Sequence, residues 1–227
     1  MSADVPQAAA GRVAGLYGIL DPSAVIREGG DPEGLLDGAL AEALAGGCRL
    51  VQYRDKVAYP RLMLSRAGRF ARACKAAGAL FLVNDRLDIA ILSGADGCHL
   101  GQDDLPLPAA RRVAPPGFLL GASTHNVPEA VRAREEGADY IGVGAVFRTM
   151  SKGDAPEPGG PRLVAEVAAA VAIPVVAISG ITRDNVREVI RAGAAAFAVI
   201  SDLFSGPGVR GRTEEFLRIW ETEKARP

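Results

Sequence analysis

The amino-acid sequence predicts a single α/β domain, a closed (β/α)8 barrel of the TIM type. Short apolar runs and stretches of helical periodicity alternate eight times along the chain. No break in composition divides the 227 residues, a length close to that of one such barrel. An open, doubly wound sheet is the alternative. Closure is favoured because turns suited to phosphate follow the last two strands, where barrels commonly bind phosphate.

The first half of the chain supplies four strands and four helices. The strands are apolar runs that stop at turn residues or carboxylates, and we place them at residues 15–20, 49–54, 80–83 and 97–100. Apolar residues at helical spacing predict helices at about 32–45, 60–77, 87–92 and 106–113. Gly46 and Gly47 follow the first of these helices, as expected of a C-cap.

The second half repeats this alternation, with strands at residues 118–122, 140–143, 174–178 and 196–200. Asn126 is expected to cap the fifth helix, which tolerates Pro128 in its first turn and ends at Gly137. The remaining helices are predicted at about 163–171, 182–192 and 212–224. Phe216 and Trp220 lie one turn apart in the last helix, so we expect both to pack on the barrel.

Composition limits the partners and the compartment. A net charge of −1 provides no global field for nucleic acid or an anionic membrane, so neither is predicted as a partner. Cys48, Cys74 and Cys98 lack metal-ligand spacing and are interpreted as reduced, mostly buried thiols of a cytoplasmic protein. The sequence leaves the oligomeric state open, a homo-oligomer included.

The start of the chain is expected to lie outside the barrel. Residues 1–12 lack the basic start and apolar block of a secretory signal and are predicted to form a flexible leader, with the barrel domain at 13–227. No apolar run reaches the ~20 residues that a membrane-spanning helix requires.

Acidic residues end two neighbouring strands. Asn84 and Asp85 follow the third strand, and Asp103 and Asp104 follow the fourth. The carboxyl ends of barrel strands carry the chemistry of this fold, and Mg²⁺ is usually held by one or two carboxylates together with substrate phosphates. Asp85 and Asp104 are therefore the predicted magnesium ligands. The alternative is that each acidic residue only caps the helix that follows it.

Gln52, Arg54 and Lys56 alternate at the end of the second strand, a spacing that points all three to one side. An Arg fork and a Lys point charge suit a diphosphate. The alternative is an ordinary charged strand end, solvated or paired with Asp55. Ser123, at the end of strand five, could donate to a phosphate or a leaving oxygen, or merely satisfy the backbone. His99 and His125 are interpreted as structural rather than catalytic.

Two further segments point to anion binding. Thr149, Ser151 and Lys152 lie in a long loop after strand six, predicted either to close on an anion as a lid or to be a polar surface loop. Residues 178–182 and 198–202 join strands seven and eight to helix starts, whose backbone N–H groups bind phosphate readily. Two such turns in succession favour a phosphate site, with ordinary β–α turns as the alternative.

These motifs, taken together and in order, resemble the thiamine phosphate synthase family over residues 16–201. The residues that carry the resemblance are Gln52-Tyr-Arg54-Asp-Lys56, Val83-Asn84-Asp85, Ala95-Asp-Gly-Cys-His-Leu-Gly-Gln102-Asp-Asp104, Gly121-Ala-Ser123, Gly137-Ala-Asp-Tyr-Ile-Gly-Val-Gly144 and Gly180-Ile181. The resemblance implies Mg²⁺-dependent condensation of 4-amino-2-methyl-5-hydroxymethylpyrimidine diphosphate with 4-methyl-5-(2-hydroxyethyl)thiazole phosphate, giving thiamine phosphate and diphosphate.

The resemblance also implies a role for each site residue. Asp85 and Asp104 would ligate Mg²⁺, and the pyrimidine diphosphate would be held by Gln52, Arg54, Lys56, Asn84, Ser123 and Lys152. The thiazole phosphate would be held by Thr149, Ser151, Gly180, Ile200 and Ser201. Arg54, Ser123 and Lys152 would be the catalytic residues. An electron-rich aminopyrimidine stabilises a benzyl-like cation, so no protein nucleophile is required, and positioning and water exclusion remain the main tasks.

Three residues depart from the family pattern, and two other functions are alternatives. Ser179 replaces the usual first glycine of a pair, and Arg148 and Ala145 replace usual prolines. One alternative is the thiazole tautomerase of the same fold, which would use His125 as its acid–base group. The other is a non-catalytic phosphate-binding barrel.

Overall fold

Eight parallel strands close into a barrel in the order in which they occur along the chain. The structure, a computed structural model, describes residues 11–26, 30–148 and 157–226. Each strand pairs with the next, and β8 returns to β1 through the pair Gly15 and Ala196. The strands are β1 Gly15–Leu20, β2 Leu50–Tyr53, β3 Leu80–Asn84, β4 Gly97–Leu100, β5 Leu119–Thr124, β6 Tyr140–Val143, β7 Val175–Ala177 and β8 Ala196–Val199. The predicted closed barrel is confirmed.

Helices surround the barrel and pack their apolar faces on its outer surface. Within the described part of the chain they are α1 Pro22–Val25, α2 Pro32–Ala45, α3 Pro60–Ala76, α4 Leu87–Ser93, α5 Leu107–Val113, α6 Val127–Glu135, α7 Gly160–Ala170, α8 Val186–Arg191, α9 Ser201–Phe204 and α10 Val209–Lys224. In these same residues no helix combines the length and the hydropathy that crossing a bilayer requires.

The strands are buried on both faces, which explains their nearly continuous apolar sequences. Alternate residues of β1 divide between two cores: Tyr17 and Ile19 fill the barrel interior, whereas Leu16 and Leu20 pack outward against the helices. The outer core includes all three cysteines, which carry free thiols and are buried. The two cores fix the strand register and thereby the level at which each strand ends.

The predicted cap of α6 and the predicted packing of α10 are both seen in the structure. The Asn126 side chain accepts a hydrogen bond from the Glu129 N–H at 2.9 Å, as expected of a cap for α6. Phe216 and Trp220 of α10 lie against Phe197 of β8, with ring centroids 5.6 and 5.9 Å from its ring. The predicted packing of this helix on the barrel is therefore confirmed.

Two short helices have no counterpart in the prediction, and one predicted helix begins later than expected. Helices α1 and α9 have four residues each, too few to give a periodic sequence signal. The helix predicted from residue 182 begins only at Val186. There the Asn185 side chain accepts from the Thr182 N–H and donates to the Gly180 carbonyl, at 2.8 and 2.9 Å, which holds residues 180–185 in a turn instead.

Candidate active site

A cavity of about 310 Å³ opens at the carboxyl ends of the strands, and all eight strands contribute to its wall. The strands supply its floor and sides with Tyr17, Ile19, Gln52, Asn84, His99, Ser123, Tyr140, Gly142, Val176 and Ala198. Loops beyond the strand ends and the start of α9 add Arg54, Arg148, Ile178, Ser179, Gly180, Ile181, Thr182, Ile200, Ser201 and Asp202. The carboxyl-terminal face is where barrel enzymes carry their chemistry.

The structure brings most of the predicted site residues to this cavity. The residues that line it are Gln52, Arg54, Asn84, Ser123, Gly180, Ile200 and Ser201. Lys56, Asp85 and Asp104 are not part of this lining and form a charged group at the ends of β2, β3 and β4. Thr149, Ser151 and Lys152 lie outside the described residues.

Both predicted diphosphate cations are paired with carboxylates other than Asp55. Arg54 forms an ion pair with Asp21, whose side chain also accepts from the Ser23 N–H at 2.9 Å. Lys56 forms an ion pair with Asp85. Strand β2 ends at Tyr53, so Arg54 and Lys56 extend from the loop that follows. Gln52 and Arg54 line the cavity and Lys56 does not, so the three side chains do not all face the same side as predicted.

Asp55 lies on the other side of the strand, as the alternation of side chains predicts. Its carboxylate accepts from the Tyr53 hydroxyl at 2.8 Å and from Arg66 at 2.9 Å. The alternative in which Asp55 neutralises Arg54 and Lys56 is therefore wrong. The charges of Arg54 and Lys56 are balanced by carboxylates at the ends of strands β1 and β3 instead.

Asp85 and Asp104 are neighbours at the ends of adjacent strands. Burial raises the pKa of the Asp104 carboxyl, and the nearby Asp85 carboxyl raises it further, against the opposing effects of the Gly101 N–H and Lys56. The Asp104 carboxylate accepts from that N–H at 2.6 Å. Asp85 has a left-handed backbone, φ 63°, and its N–H donates to the His99 carbonyl at 2.7 Å. Backbone hydrogen bonds at the two strand ends thus hold the Asp85 and Asp104 carboxyl groups next to each other.

The helix-cap alternative for these two carboxylates is wrong. Helix α4 is preceded by Arg86 and α5 by Pro106, and neither helix start has a side-chain cap. Two adjacent carboxylates fit a hard cation, whose charge would relieve their repulsion. Among the described residues no cluster of three or more His, Cys, Asp or Glu ligands occurs. A magnesium ion at this pair would therefore complete its coordination with oxygen atoms of substrate or water.

Polar side chains cross the barrel interior beneath the cavity. Ser123 Oγ lies 3.0 Å from His99 Nε2, and His99 Nδ1 lies 3.0 Å from the Tyr140 hydroxyl. Tyr140 is in turn 3.0 Å from the Tyr17 hydroxyl, which accepts from Gln52 Nε2 at 2.7 Å. We call these five residues, Gln52, Tyr17, Tyr140, His99 and Ser123, the polar floor.

Sequence reasoning missed the two tyrosines of the polar floor. The available signal was alternation: Tyr17 and Tyr140 occupy inward positions of strands β1 and β6, where a phenol requires a partner. His125 is different, because its Nδ1 lies 2.9 Å from Glu129 and the residue is absent from the cavity lining.

The wall formed after β7 and β8 combines glycine and isoleucine residues with short polar residues, namely Ser179, Thr182, Ser201 and Asp202. Ser179 and Gly180 both have left-handed backbone, with φ values of 82° and 68°. The N–H groups of Thr182 and Arg183 donate to Asn185 and Asp202 side chains. The predicted phosphate site therefore narrows to the Gly180–Ile181 and Ile200–Ser201 segments, both of which line the cavity.

The described flanks of the long loop lie beside this wall. Arg148 lines the cavity, and the Phe147 N–H donates to the Ser179 carbonyl at 3.0 Å. On the far side of residues 149–156, the Gly159 and Gly160 N–H groups donate to Ala145 and Val146 at 2.9 and 3.0 Å. The loop therefore leaves and rejoins the barrel at the same side of the cavity.

Comparisons with known proteins agree on one family. The model of the thiamine monophosphate synthase family matches residues 23–203. The chain is 45% identical over 183 residues to the thiamine-phosphate synthase of Chlorobium luteolum, which covers 81% of this chain and 86% of that protein. It is 49% identical over 196 residues to that of Methanocella arvoryzae, covering 86% and 92% of the two chains.

Solved structures give the same result. Thiamine phosphate pyrophosphorylase from Pyrococcus furiosus superimposes with a TM-score of 0.84 at 36% identity, over 95% of this chain and 98% of that one. The N-acetylmannosamine-6-phosphate 2-epimerase of Clostridium perfringens, with a TM-score of 0.65 and 14% identity over 93% and 96% of the two chains, shares the fold alone.

Proposed function

The chain belongs to the thiamine monophosphate synthase family, and from this membership we propose how its cavity performs the family's reaction. It is a transferase of thiamine biosynthesis that condenses the pyrimidine diphosphate with the thiazole phosphate, giving thiamine phosphate and diphosphate. The observation that carries the assignment of sites is that one cavity joins the polar residues at the ends of β2 to β5 to the glycine-containing and isoleucine-containing turns after β7 and β8. Two substrates with different anionic groups would meet between these walls.

In this proposal the pyrimidine diphosphate lies against the ends of strands β2 to β5. Gln52, Asn84 and Ser123 line that part of the cavity with amide and hydroxyl groups, beside the Arg54 guanidinium. The thiazole phosphate lies against the opposite wall, near the backbone of Gly180, Ile200 and Ser201. A glycine backbone allows a phosphate to approach closely, which supports this half of the assignment.

Arg54 and Lys56 are proposed to exchange partners when the diphosphate binds. Each is paired with a carboxylate in the structure, Arg54 with Asp21 and Lys56 with Asp85. A diphosphate carries several anionic oxygens, so it can offer each cation a charge-assisted hydrogen bond in exchange for its carboxylate partner. Lys56, whose side chain is 54% exposed, can turn to the diphosphate and leave Asp85 available as a ligand.

Asp85 and Asp104 are the proposed magnesium ligands, because their carboxylates are adjacent and neither caps a helix. The chemistry expected from bound magnesium is neutralisation of charge on the departing diphosphate. Arg54 adds positive charge at the same leaving group, and Ser123 is positioned to donate to one of its oxygens.

Bond cleavage then requires no nucleophile from the protein. The aminopyrimidine stabilises the cation left by the diphosphate, and the thiazole nitrogen captures it. Apolar residues of the inner core, among them Ile19 and Val176, also line the cavity and limit the access of water to that cation. Thr149, Ser151 and Lys152 keep their proposed roles at the two anions, supported by the position of the loop flanks beside Gly180.

The test is product formation from the purified chain. With both substrates and Mg²⁺ present, thiamine phosphate and diphosphate should appear in equal amounts, and omission of either substrate should abolish both. Failure of a folded sample to form thiamine phosphate would contradict the proposal. The tautomerase alternative is disfavoured because His125 is bonded to Glu129 and is absent from the cavity lining, so His125→Gln should retain condensation.

A cytoplasmic location and a homo-oligomer remain proposals. Three buried, free thiols support the first, because reduced cysteines are typical of a reducing compartment. Fractionation of the producing cells and light scattering of the purified protein would test the two statements.

A further inference from the structure

We propose that the hydrogen bonds of the polar floor run in one direction, from Gln52 to Ser123, and that this direction sets how both end residues face the substrate. The inference rests on the proposed function for the identity of that substrate, an aminopyrimidine that carries a diphosphate. Gln52 and Ser123 line the cavity and would touch it. Tyr17, Tyr140 and His99 act as positioning residues between them.

The polar floor is a built arrangement within the barrel. Tyr17 and Gln52 are each 2% exposed, Tyr140 is fully buried and His99 is 8% exposed. Two glycines make room for its rings: a Cβ at Gly121 would lie 2.1 Å from the Tyr140 ring, and one at Gly142 would lie 3.2 Å from His99. Strand β5 therefore carries glycine opposite Tyr140 of β6, and β6 carries glycine where the His99 ring of β4 approaches it.

Burial determines which groups carry protons. Burial raises the pKa of both Tyr17 and Tyr140 above the usual phenol range, so each hydroxyl keeps its single proton. A buried donor without an acceptor is strongly unfavourable, so each phenol must accept on one side and donate on the other. The direction at one end of the chain of hydrogen bonds then fixes the direction at every link.

The Gln52 amide sets that direction. Its Nε2 donates to Tyr17, so the Tyr17 proton goes to Tyr140 and the Tyr140 proton goes to His99 Nδ1. His99 is then neutral with its proton on Nε2, which donates to Ser123 Oγ. The Ser123 proton is directed to a further acceptor on the cavity side.

With this direction, Gln52 and Ser123 are complementary to the amino group and the diphosphate of the pyrimidine substrate. The Gln52 amide turns its oxygen away from Tyr17 and can accept from the amino group of the pyrimidine, while the Ser123 hydroxyl can donate to a diphosphate oxygen. The reverse direction would set an NH₂ group against that amino group and an oxygen lone pair against the diphosphate. Both contacts would then be repulsive, which makes the direction a determinant of specificity.

Histidine tautomers measured by nitrogen-15 NMR on the ligand-free protein test the direction. The chain has two histidines, so His125→Gln assigns the spectrum. We expect His99 at neutral pH to be neutral and protonated at Nε2. A His99 protonated at Nδ1, or an imidazolium, would overturn the proposal without any change to the polar floor.

Gln52→Glu supplies the sharper test, because an ionised carboxylate only accepts hydrogen bonds. It should reverse every link and move the His99 proton from Nε2 to Nδ1. Gln102→Glu is the matched control, since Gln102 is exposed and its amide bonds the backbone carbonyl of Ser123, not the Ser123 hydroxyl that is hydrogen-bonded to His99. It should leave the tautomer unchanged. The carbon-13 shift of the carboxyl introduced by Gln52→Glu reports whether that group is ionised.

A third variant tests the direction even if the carboxyl introduced by Gln52→Glu stays protonated. Gln52→Leu removes the anchor, so both tautomers of His99 should be populated. An unchanged Nε2 tautomer in Gln52→Leu, or in Gln52→Glu with an ionised carboxylate, overturns the proposal. In assays, Gln52→Glu should raise the KM for the pyrimidine diphosphate about 10–100-fold, with the KM for the thiazole phosphate nearly constant.

The two proposals fail separately. A parent protein that shows the expected tautomers but forms no thiamine phosphate contradicts the proposed function alone. A parent that turns over but has the opposite tautomer contradicts the direction alone.

Discussion

The two walls of the cavity are built from different parts of the polypeptide. At the ends of β1 to β4, charged side chains already bond one another. Arg54, which lines the cavity, pairs with Asp21, and beside the lining Lys56 pairs with Asp85, which is next to Asp104. We call this side the charged wall. After β7, the residues Ser179 and Gly180 line the cavity with left-handed backbone, and Ile178, Ile181 and Ile200 line it beside them. We call this side the backbone wall. We therefore expect substrate binding at the charged wall to depend on charge, and substrate binding at the backbone wall to depend on the shape of the backbone.

The largest expected effect lies on the charged wall. Asp104→Ala should lower kcat about 10²–10³-fold, because one of two adjacent magnesium ligands is lost while charge develops on the diphosphate. Binding of thiazole phosphate, measured by calorimetry, should be nearly unchanged. Asp103→Ala is the control, since this neighbouring carboxylate is exposed. An Asp104→Ala variant with the kcat of the parent would contradict the assignment of Asp104 as a magnesium ligand.

The backbone wall should respond to a single added methyl group. A Cβ at Gly180 would lie 2.4 Å from the Arg148 carbonyl oxygen and 2.8 Å from Phe147 Cβ, at φ +68°. Gly180→Ala should therefore raise the KM for thiazole phosphate about tenfold or more, because the wall must shift. The KM for the pyrimidine diphosphate should change much less.

Gly78→Ala separates this clash from backbone strain. Gly78 has nearly the same angle, φ +67°, with no atom within 4 Å of an added Cβ. This variant should lose about 1–2 kcal/mol of unfolding free energy and keep parental kinetics. Equal kinetic effects of the two variants would show that the wall at Gly180 is not specifically shaped for phosphate.

The contrast between the walls also explains what the sequence could predict. That Asp85 and Asp104 lie close together could be predicted, because carboxylates at strand ends are visible in the sequence and neighbouring strands in a barrel end side by side. The interior tyrosines of the polar floor were missed, because an inward aromatic residue in an apolar strand looks like ordinary core. Tyr17 and Tyr140 lie on strands that do not pair with each other, so only closure of the barrel brings the two phenols together.

Ion pairing was the other feature that local reasoning missed. Asp55 adjoins both Arg54 and Lys56 in sequence, yet the strand turns it toward Arg66 on the opposite side. Asp21 and Asp85 are distant in sequence and near in space, so their pairing with the two cations depends on tertiary structure. Helix boundaries were predicted well where Asn126 or a glycine marked them, and poorly at Asn185, whose side chain holds a turn.

A smaller effect should appear in the stability of the ligand-free protein. The pKa of Asp104 is raised by burial and by Asp85, so the folded protein retains a proton that the unfolded chain has lost. The free energy of unfolding therefore falls as pH rises from the ordinary carboxyl pKa of about 4 to the raised value, and the loss then persists. Asp104→Asn removes this loss, so its Tm relative to the parent should increase with pH and then level off.

Asp88→Asn should change in the opposite direction. The Arg86 guanidinium lowers the pKa of Asp88, so the parent gains stability above that carboxyl's ordinary pKa and the variant does not. Its Tm relative to the parent should decrease as pH rises, measured by calorimetry in the same buffers. A decrease for Asp104→Asn as well would mean that Asp85 and Asp104 do not repel each other in the folded protein.

The smallest effect is expected at Ser179, where the backbone wall departs from the family pattern. A serine at φ 82° is strained, so Ser179→Gly should raise the unfolding free energy by up to about 1 kcal/mol, measured as a shift of the urea midpoint at constant slope. Ser65→Gly, in the exposed middle of α3, should lower it by about 0.5–1 kcal/mol. If both variants lose stability, the Ser179 side chain makes contacts that outweigh its strain. Both walls would then depend on side chains, and the contrast between them would no longer hold.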